Sequence, residues 1–191
     1  MTIRQRLFVN LAITLASLAI CFGLMSWGAY RYSYLQEGTE VVNRQVQGWL
    51  ALNFRVSQYM KSSLEAILSQ KKIAEDDVFQ SMGKVVHSFI QIEKNARAMQ
   101  KYLTVEEQSE QAKQRIMIRD QFGLINAELE QAIHAFNQGQ KIAALNRISK
   151  NITQTNLNGK FIELIETALK NEEIQEHKIK GNLKQLKISL I

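Results

Sequence analysis

Three histidines, His87, His134 and His177, are the side chains best suited to metal binding or proton transfer in this chain. Each falls in a different predicted helix, and no two of them form a His-x-x-x-His pair, the spacing that places two imidazoles on one helix face. The three positions therefore predict no metal site.

Closely spaced carboxylates could in principle act as general acid and base. The pairs Glu128/Glu130 and Glu163/Glu166 occur in predicted helices, where they are typical of exposed charge. The chain also contains no glycine-rich phosphate loop, nucleophile elbow or kinase signature. We therefore predict that the chain is not an enzyme, that it has no catalytic residues and that it needs no cofactor.

The composition indicates long helices with few turns. The 191 residues include no proline and only 9 glycines, whereas average usage would give about 5% proline. The formal net charge is +6, but basic and acidic residues are mixed. Because there is no basic run or face, we expect no binding to nucleic acid.

An uncharged apolar run extends over residues 7–30, enough to cross a bilayer, which takes about 20 helical residues. It contains the only cysteine, Cys21. Arg4 and Arg6 precede the run, and Trp27 and Tyr30 lie at its end, as interfacial aromatics do. The positive-inside rule then places the N-terminus in the cytoplasm and the bulk of the chain outside it. A cleaved signal peptide and a buried helix of a soluble protein are the alternatives.

After residue 37 the apolar residues recur at helical spacing. Helix one should continue the membrane span without a break and end near Lys71 and Lys72. The cluster at residues 75–77 would start helix two, because negative charge favours a helix N-terminus. Thr104-Val105-Glu106-Glu107 is a capping box that would start helix three. Gly139 would end that helix.

Four apolar stripes follow from this division. The stripe residues are Val42, Val46, Trp49, Val56, Met60 and Ile67; Val78, Met82, Val85, Phe89, Ile92, Ala96, Met99 and Leu103; Ile118, Phe122, Ile125, Leu129, Ala132 and Phe136; Ile142, Leu145, Ile148, Leu157, Phe161, Leu164, Ala168, Ile179, Leu183, Leu186 and Leu190. Residues 151–159 predict a kink or a break in the fourth helix.

The predicted fold is all-α, with an N-terminal transmembrane helix continuous with an up-down-up-down antiparallel four-helix bundle. The expected divisions are a cytoplasmic N-terminus at 1–6, a transmembrane helix at 7–30, an extracytoplasmic bundle at 31–187 and the start of a second transmembrane segment at 188–191. The fourth helix would return toward the membrane, so we expect the chain to be a piece of a longer protein.

This layout resembles the extracytoplasmic four-helix-bundle sensor region of methyl-accepting chemotaxis receptors and related sensor histidine kinases. Leu52-Asn53-Phe54-Arg55-Val56 is similar to the segment where amino-acid receptors of this family place an arginine that binds the ligand carboxylate. Ile152-Thr153-Gln154 is similar to their threonine-containing turn. Where the family has further arginines, this chain has Lys61. The resemblance therefore implies ligand binding by Arg55, Lys61 and Thr153.

The resemblance also implies a homodimer in which helix one packs against its mate, through Val46, Trp49 and Val56. Each residue has a simpler alternative role. Arg55 could form a surface ion pair or pack its stem beside Trp49 and Tyr59. Thr153 could serve only to break a helix, and Trp49 could belong to the core.

Two functions remain open at this point. The first is a membrane-anchored extracytoplasmic sensor region of a bacterial receptor, in the inner membrane, which transmits a helix shift when a small molecule or a periplasmic binding protein binds. The second is a structural scaffold with a single span and a helical ectodomain in an envelope or secretion assembly. The sequence names neither the ligand nor the output module.

Overall fold

The computed structural model describes residues 3–68 and 75–189, apart from the side chains at positions 4, 6, 66, 75, 76, 153 and 187–189. The α-helices are α1 (Ile3–Leu68), α2 (Glu75–Met99), α3 (Val105–Asn137), α4 (Lys141–Arg147) and α5 (Leu157–Ser189). A short 3₁₀ helix covers Gln100–Tyr102, and a π-helix covers Ile148–Gln154. No strand occurs within the described ranges, so the predicted all-α class is confirmed.

Helix α1 is a single helix of 66 residues. Its part Leu7–Glu65 includes an 18-residue window that is apolar enough to cross a membrane, and 0% of that window is buried. No break separates the apolar N-terminal run from the amphipathic stripe that begins at Val42. The prediction of a continuous first helix is therefore confirmed.

The predicted helix boundaries are largely confirmed. Helix α2 begins at Glu75. The Thr104 hydroxyl accepts a hydrogen bond from the Glu107 amide at 3.3 Å, and the Glu107 carboxylate accepts one from the Thr104 amide at 2.7 Å. Gly139 adopts a φ of 82° just after α3, a conformation that a residue without a Cβ takes at little cost. Lys71 and Lys72 lie outside the described residues.

The predicted break in the fourth helix is present as a π-helix and a turn. Asn156 has a φ of 52° immediately before α5 begins. A Cβ at Gly159 would lie 2.3 Å from the Asn156 side chain. The break thus needs an asparagine that tolerates the left-handed region and a glycine that leaves room for it.

The predicted stripe of Ile142, Leu145 and Ile148 is wrong at its first two positions, whereas Ile148 packs against both apolar clusters of the core. Ile142 is 77% exposed and Leu145 is 42% exposed, whereas Ala144 is fully buried. Ala144 packs in a small cluster with Ala132, Ala135 and Phe136 of α3, among others. Small side chains on both helices allow their backbones to approach, so the alanine faces inward and the larger residues face outward.

The chain divides into two compact units. The terminal unit consists of Met1–Glu40 and Glu176–Ile191, and its buried side chains include Leu35, Ile179 and Leu186. The core unit consists of Val41–Gln175. Its largest apolar cluster draws on α1, α2, α3, the π-helix and α5.

Together with the smaller cluster around Ala144, this cluster confirms the α3 stripe and most of the α1 and α2 stripes. The fully buried side chains that anchor it are Leu52, Val56, Val85, Ile118, Ile125, Leu129 and Phe161. Three rings meet within it: the centroid of Phe122 lies 6.4 Å from that of Tyr59 and 5.6 Å from that of Phe89. Burial of such side chains is the main favourable contribution to folding.

Candidate functional site

Two of the three predicted ligand residues line one pocket between α1 and α2. Arg55 and Lys61 are on its α1 wall, and Lys84 is on its α2 wall. The pocket has a volume of about 350 Å³. Glu65 also lines it and pairs with Lys61 across 3.7 Å. Among the described residues, the pocket therefore carries three cations and one carboxylate, and an anion is the ligand that this lining favours.

Arg55 already has partners within the protein. Its Nη1 donates to the carbonyl oxygen of Lys84 at 3.0 Å and to the Ser88 hydroxyl at 2.9 Å. The guanidinium therefore joins α1 to α2, a role that differs from the surface ion pair considered above. The other guanidinium nitrogens keep donor capacity, because arginine carries five N–H groups.

Thr153, the third predicted ligand residue, lies in the π-helix, and its side chain is outside the described residues. Its neighbour Ile152 is buried in the main apolar cluster. The described lining of the pocket that contains Arg55 and Lys61 includes no residue of this segment. The structure therefore brings together two of the predicted ligand residues, Arg55 and Lys61.

The residues predicted for a dimer interface lie mainly inside the single chain. Trp49 is 2% exposed and Val56 is fully buried, and both belong to the main apolar cluster. Val46 is half-buried. Trp49 and Val56 are covered by the chain's own helices, so a second copy has no access to them. The exposed apolar residues nearby on α1 are Leu50 and Phe54.

A group of buried polar side chains interrupts the apolar core. Its members on α1 and α5 lie close in sequence to Val41 and Gln175, where the core unit begins and ends. We call Gln45, Gln111, Glu172 and Gln175 the polar layer; all four are buried. They lie at core positions of α1, α3 and α5. Both polar atoms of Gln45, Nε2 of Gln111 and Oε2 of Glu172 have no hydrogen-bond partner among the described residues.

Two other polar atoms of this layer have partners on α1 and α3. Trp49 Nε1 donates to Glu172 Oε1 at 3.5 Å. Gln175 Nε2 donates to Glu107 Oε1 at 3.0 Å, so the residue that caps α3 also contacts α5. Arg115, one turn after Gln111, donates to Glu93 of α2 at 3.2 Å. The neighbouring side chains thus provide hydrogen bonds for some of the polar atoms in the layer and not for others.

Glu172 is the titratable group that this environment changes most. Burial raises the pKa of its carboxyl from 4.5 to about 7, and the Trp49 hydrogen bond and the Arg115 charge oppose that rise. A charged carboxylate taken out of water is costly unless it is fully paired. The protonation state of Glu172 therefore changes near neutral pH.

Glu172 is only 3% exposed, and it was not singled out from the sequence. The feature of the sequence that indicates its burial is the position of Glu172 in the helical repeat of α5. Phe161, Ile165 and Ala168 are buried at intervals of four and three, and the next two positions in that series are 172 and 175. Because these residues are polar, the apolar stripe does not include them, although their spacing continues it.

Within the described part of the chain, no group of three or more His, Cys, Asp or Glu side chains could hold a metal ion. Comparisons with protein-family models, with curated proteins and with solved structures find no match for this chain.

Proposed function

We propose that this chain is the membrane-anchored extracytoplasmic sensor region of a bacterial signal-transduction receptor, similar to chemoreceptors. The observation that carries the proposal is the continuity of α1. One helix contains both a membrane-length apolar window with no buried residue and the stripe that fills the core unit. A rigid helix transmits a shift along its axis, whereas a flexible linker would absorb it.

We propose further that the core unit is an up-down-up-down four-helix bundle. Contacts between helices support this arrangement. Asn95 donates to the Arg44 carbonyl and Arg55 donates to Ser88, so residue numbers fall along α2 as they rise along α1. Between α3 and α5, Gln175 contacts Glu107, and Asn171 contacts Gln114. Both pairs of helices run in opposite senses.

The polar layer adds a second line of support. Polar atoms that have no partner in a core add no hydrogen bond that a small helix displacement would break. A receptor needs two states of similar energy, and a ligand can shift their populations only by its differential affinity. The α1–α2 pocket, with Arg55 and Lys61, is the site that we propose for an anionic small molecule or an acidic surface of a periplasmic binding protein.

The proposed homodimer uses a face of α1 shifted from the one predicted. Val46, Leu50 and Phe54 recur at intervals of four and form an apolar stripe, and Leu50 and Phe54 are 45% and 62% exposed. In a Cys21→Ser background, Phe54→Cys should cross-link into a disulfide-bonded dimer upon oxidation. Ser109→Cys, exposed on α3, is the control that should remain monomeric.

The orientation in the membrane is tested by thiol labelling in the same background. Gln138→Cys, exposed after α3, should react with a membrane-impermeant maleimide in intact cells whose outer membrane has been made permeable. Gln5→Cys should react only after the inner membrane is opened. The opposite pattern would reverse the proposed topology.

Signal transmission is tested with a chimera in which a second membrane span and a kinase output module follow the chain. Inserting two residues between Asn182 and Leu183 rotates the rest of α5 by about 200°, whereas seven residues rotate it by about 700°, nearly two full turns. A receptor should change its basal output strongly with two residues and little with seven. Equal output from both chimeras would contradict the receptor and favour the scaffold.

A further inference from the structure

A second cavity, larger than the α1–α2 pocket, opens between α2 and α3. We call it the α2–α3 groove; its apolar floor is formed by Met82, Val86, Phe89, Ile90 and Phe122. Its volume is about 610 Å³, within the range of small-molecule sites. Val86 and Ile90 are 44% and 58% exposed. The groove therefore presents apolar surface to solvent along several turns of α2.

Cations gather toward one end of this groove. Lys94 and Arg97 follow the apolar residues on α2, and Arg119 lies on α3. Arg119 falls between Arg115, which contacts Glu93, and Phe122, which contacts Phe89, so it lies toward the same end.

Lys94, Arg97 and Arg119 make no hydrogen bond or ion pair with any described residue. The one carboxylate in the described lining of the groove, Glu93, is engaged by Arg115 at 3.2 Å. The groove thus combines an apolar floor with three cations that form no ion pair with any described residue.

Gly123 stands in the α3 wall of the groove, in the middle of a helix. Glycine at such a position destabilises a helix relative to alanine. Close packing does not account for this glycine, because a Cβ at this position would meet nothing within 4 Å. Its effect is to leave the groove wide where a larger side chain would narrow it.

From these features we propose that the α2–α3 groove binds a long-chain carboxylate, with its alkyl chain on the apolar floor and its head group beside Arg97 and Arg119. Apolar contact with the floor removes hydrocarbon from water. The guanidinium groups match a carboxylate in charge and in bidentate geometry. The distance from Met82 to Arg97 along α2 is about 22 Å, room for an extended chain and its head. This site does not depend on the proposed receptor function.

The test uses the full chain in lipid nanodiscs and a tetradecanoic acid that carries a photoreactive diazirine. After irradiation, mass spectrometry should find adducts on peptides from α2 and α3 that line the groove. Unlabelled tetradecanoate should compete for these adducts, and tetradecyltrimethylammonium, with the same chain and opposite charge, should not. Adducts confined to residues 7–30 would show partitioning into the bilayer only and would overturn the proposal.

Two sets of variants place the ligand within the groove. Gly123→Leu fills the open wall and should remove the groove adducts while the helix content is kept, because leucine is the better helix former. Gly181→Leu is the matched control, since it also lies in a helix with nothing within 4 Å of an added Cβ. Groove adducts that persist in Gly123→Leu would contradict the proposal.

The head-group assignment is tested by Arg97→Glu combined with Arg119→Glu. Each lost charge-assisted hydrogen bond should weaken competition by tetradecanoate about tenfold or more. Lys113→Glu combined with Lys160→Glu makes the same change in net charge at positions outside the groove. Equal affinities of the two double variants for tetradecanoate would show that Arg97 and Arg119 do not bind the head group. None of these outcomes bears on signalling by the chimera, so the two proposals fail separately.

Discussion

Two parts of one core are built on the same helices with opposite chemistry. The apolar layer of Tyr59, Phe89, Phe122 and Ile125 packs rings and aliphatic side chains, and its one polar side-chain atom, the Tyr59 hydroxyl, donates to Asn126 at 2.8 Å. The polar layer leaves amide and carboxylate atoms without partners among the described residues. Both layers are buried because their residues recur at helical spacing. Whether this burial stabilises the fold at every pH depends on the chemistry of the side chains.

The largest effect expected in this comparison comes from the apolar layer. Ile125→Ala should lower the free energy of unfolding by about 2–5 kcal/mol, because Ile125 is fully buried and alanine leaves a cavity. Ile116→Ala is the same substitution on the same helix at a residue that is 55% exposed, and it should cost less than about 0.5 kcal/mol. Denaturant unfolding of the full chain in nanodiscs, followed by circular dichroism, measures both. Similar losses for the two variants would mean that α3 does not bury the face assigned to it.

The next largest effect is the pH dependence that Glu172 gives to the polar layer. The pKa of its carboxyl is about 7 in the folded chain, against an ordinary value of 4.5 for a glutamate exposed to water. The folded state therefore holds more protons between these values, and the free energy of unfolding should fall as pH rises through that window. The contribution of this group is fully present below pH 4.5 and is lost above pH 7, a difference of about 3 kcal/mol.

Glu172→Gln removes this titration while keeping the shape of the side chain. The variant should equal or exceed the parent in stability at about pH 8 and lose that advantage at about pH 5. The charge that acts on Glu172 is that of Arg115 on α3, which itself pairs with Glu93 on α2. Glu166→Gln, on the exposed face of α5, controls for the other titratable groups of the chain. Parallel pH profiles for parent and Glu172→Gln would show that Glu172 is not buried as a neutral acid.

The two layers also differ in how far the sequence predicted them. The capping box at Thr104, the left-handed Gly139 and the α3 stripe follow from local rules, because a few neighbouring residues decide a cap, a turn or a helical face. The burial of Glu172 depends on which helices meet there. The same limit explains the α4 register, where close packing of Ala144 against α3 outweighs the apolar pattern of Ile142 and Leu145.

The candidate sites depend even more on which helices pack together, and local sequence patterns do not indicate that. Arg55 and Lys61 share a pocket because they are close in one helix, a relation that the sequence already contains. The α2–α3 groove requires the pairing of α2 with α3, so no local pattern indicated that Arg97 and Arg119 lie beside one apolar floor. Gly123 appears in the sequence only as a residue that weakens a helix.

A smaller effect tests whether the apolar layer tolerates the loss of its single polar contact. Burial raises the pKa of Tyr59 to about 12, with a contribution from the Glu130 charge, so the hydroxyl stays protonated and donates at any ordinary pH. Tyr59→Phe should cost about 1 kcal/mol, because Asn126 Oδ1 loses its donor while the ring contact with Phe122 remains. Denaturant midpoints at about pH 6 and about pH 9 should shift equally, since both lie well below that pKa. A loss that changes between these two pH values would contradict a buried Tyr59 hydroxyl that stays protonated.

The smallest difference that we expect between two matched variants concerns the cap that borders the polar layer. Thr104→Ala removes the hydroxyl that accepts from the Glu107 amide and should cost about 1 kcal/mol, the usual value of an N-cap. Glu107→Ala removes the other half of the capping box and also the acceptor for Gln175 of α5. Its cost should exceed that of Thr104→Ala by about 0.5–1.5 kcal/mol, since a buried amide then lacks its partner. Denaturant unfolding of the two variants measures this difference. Equal costs would mean that Glu107 acts on α3 alone, and the polar layer would then have no attachment to the cap.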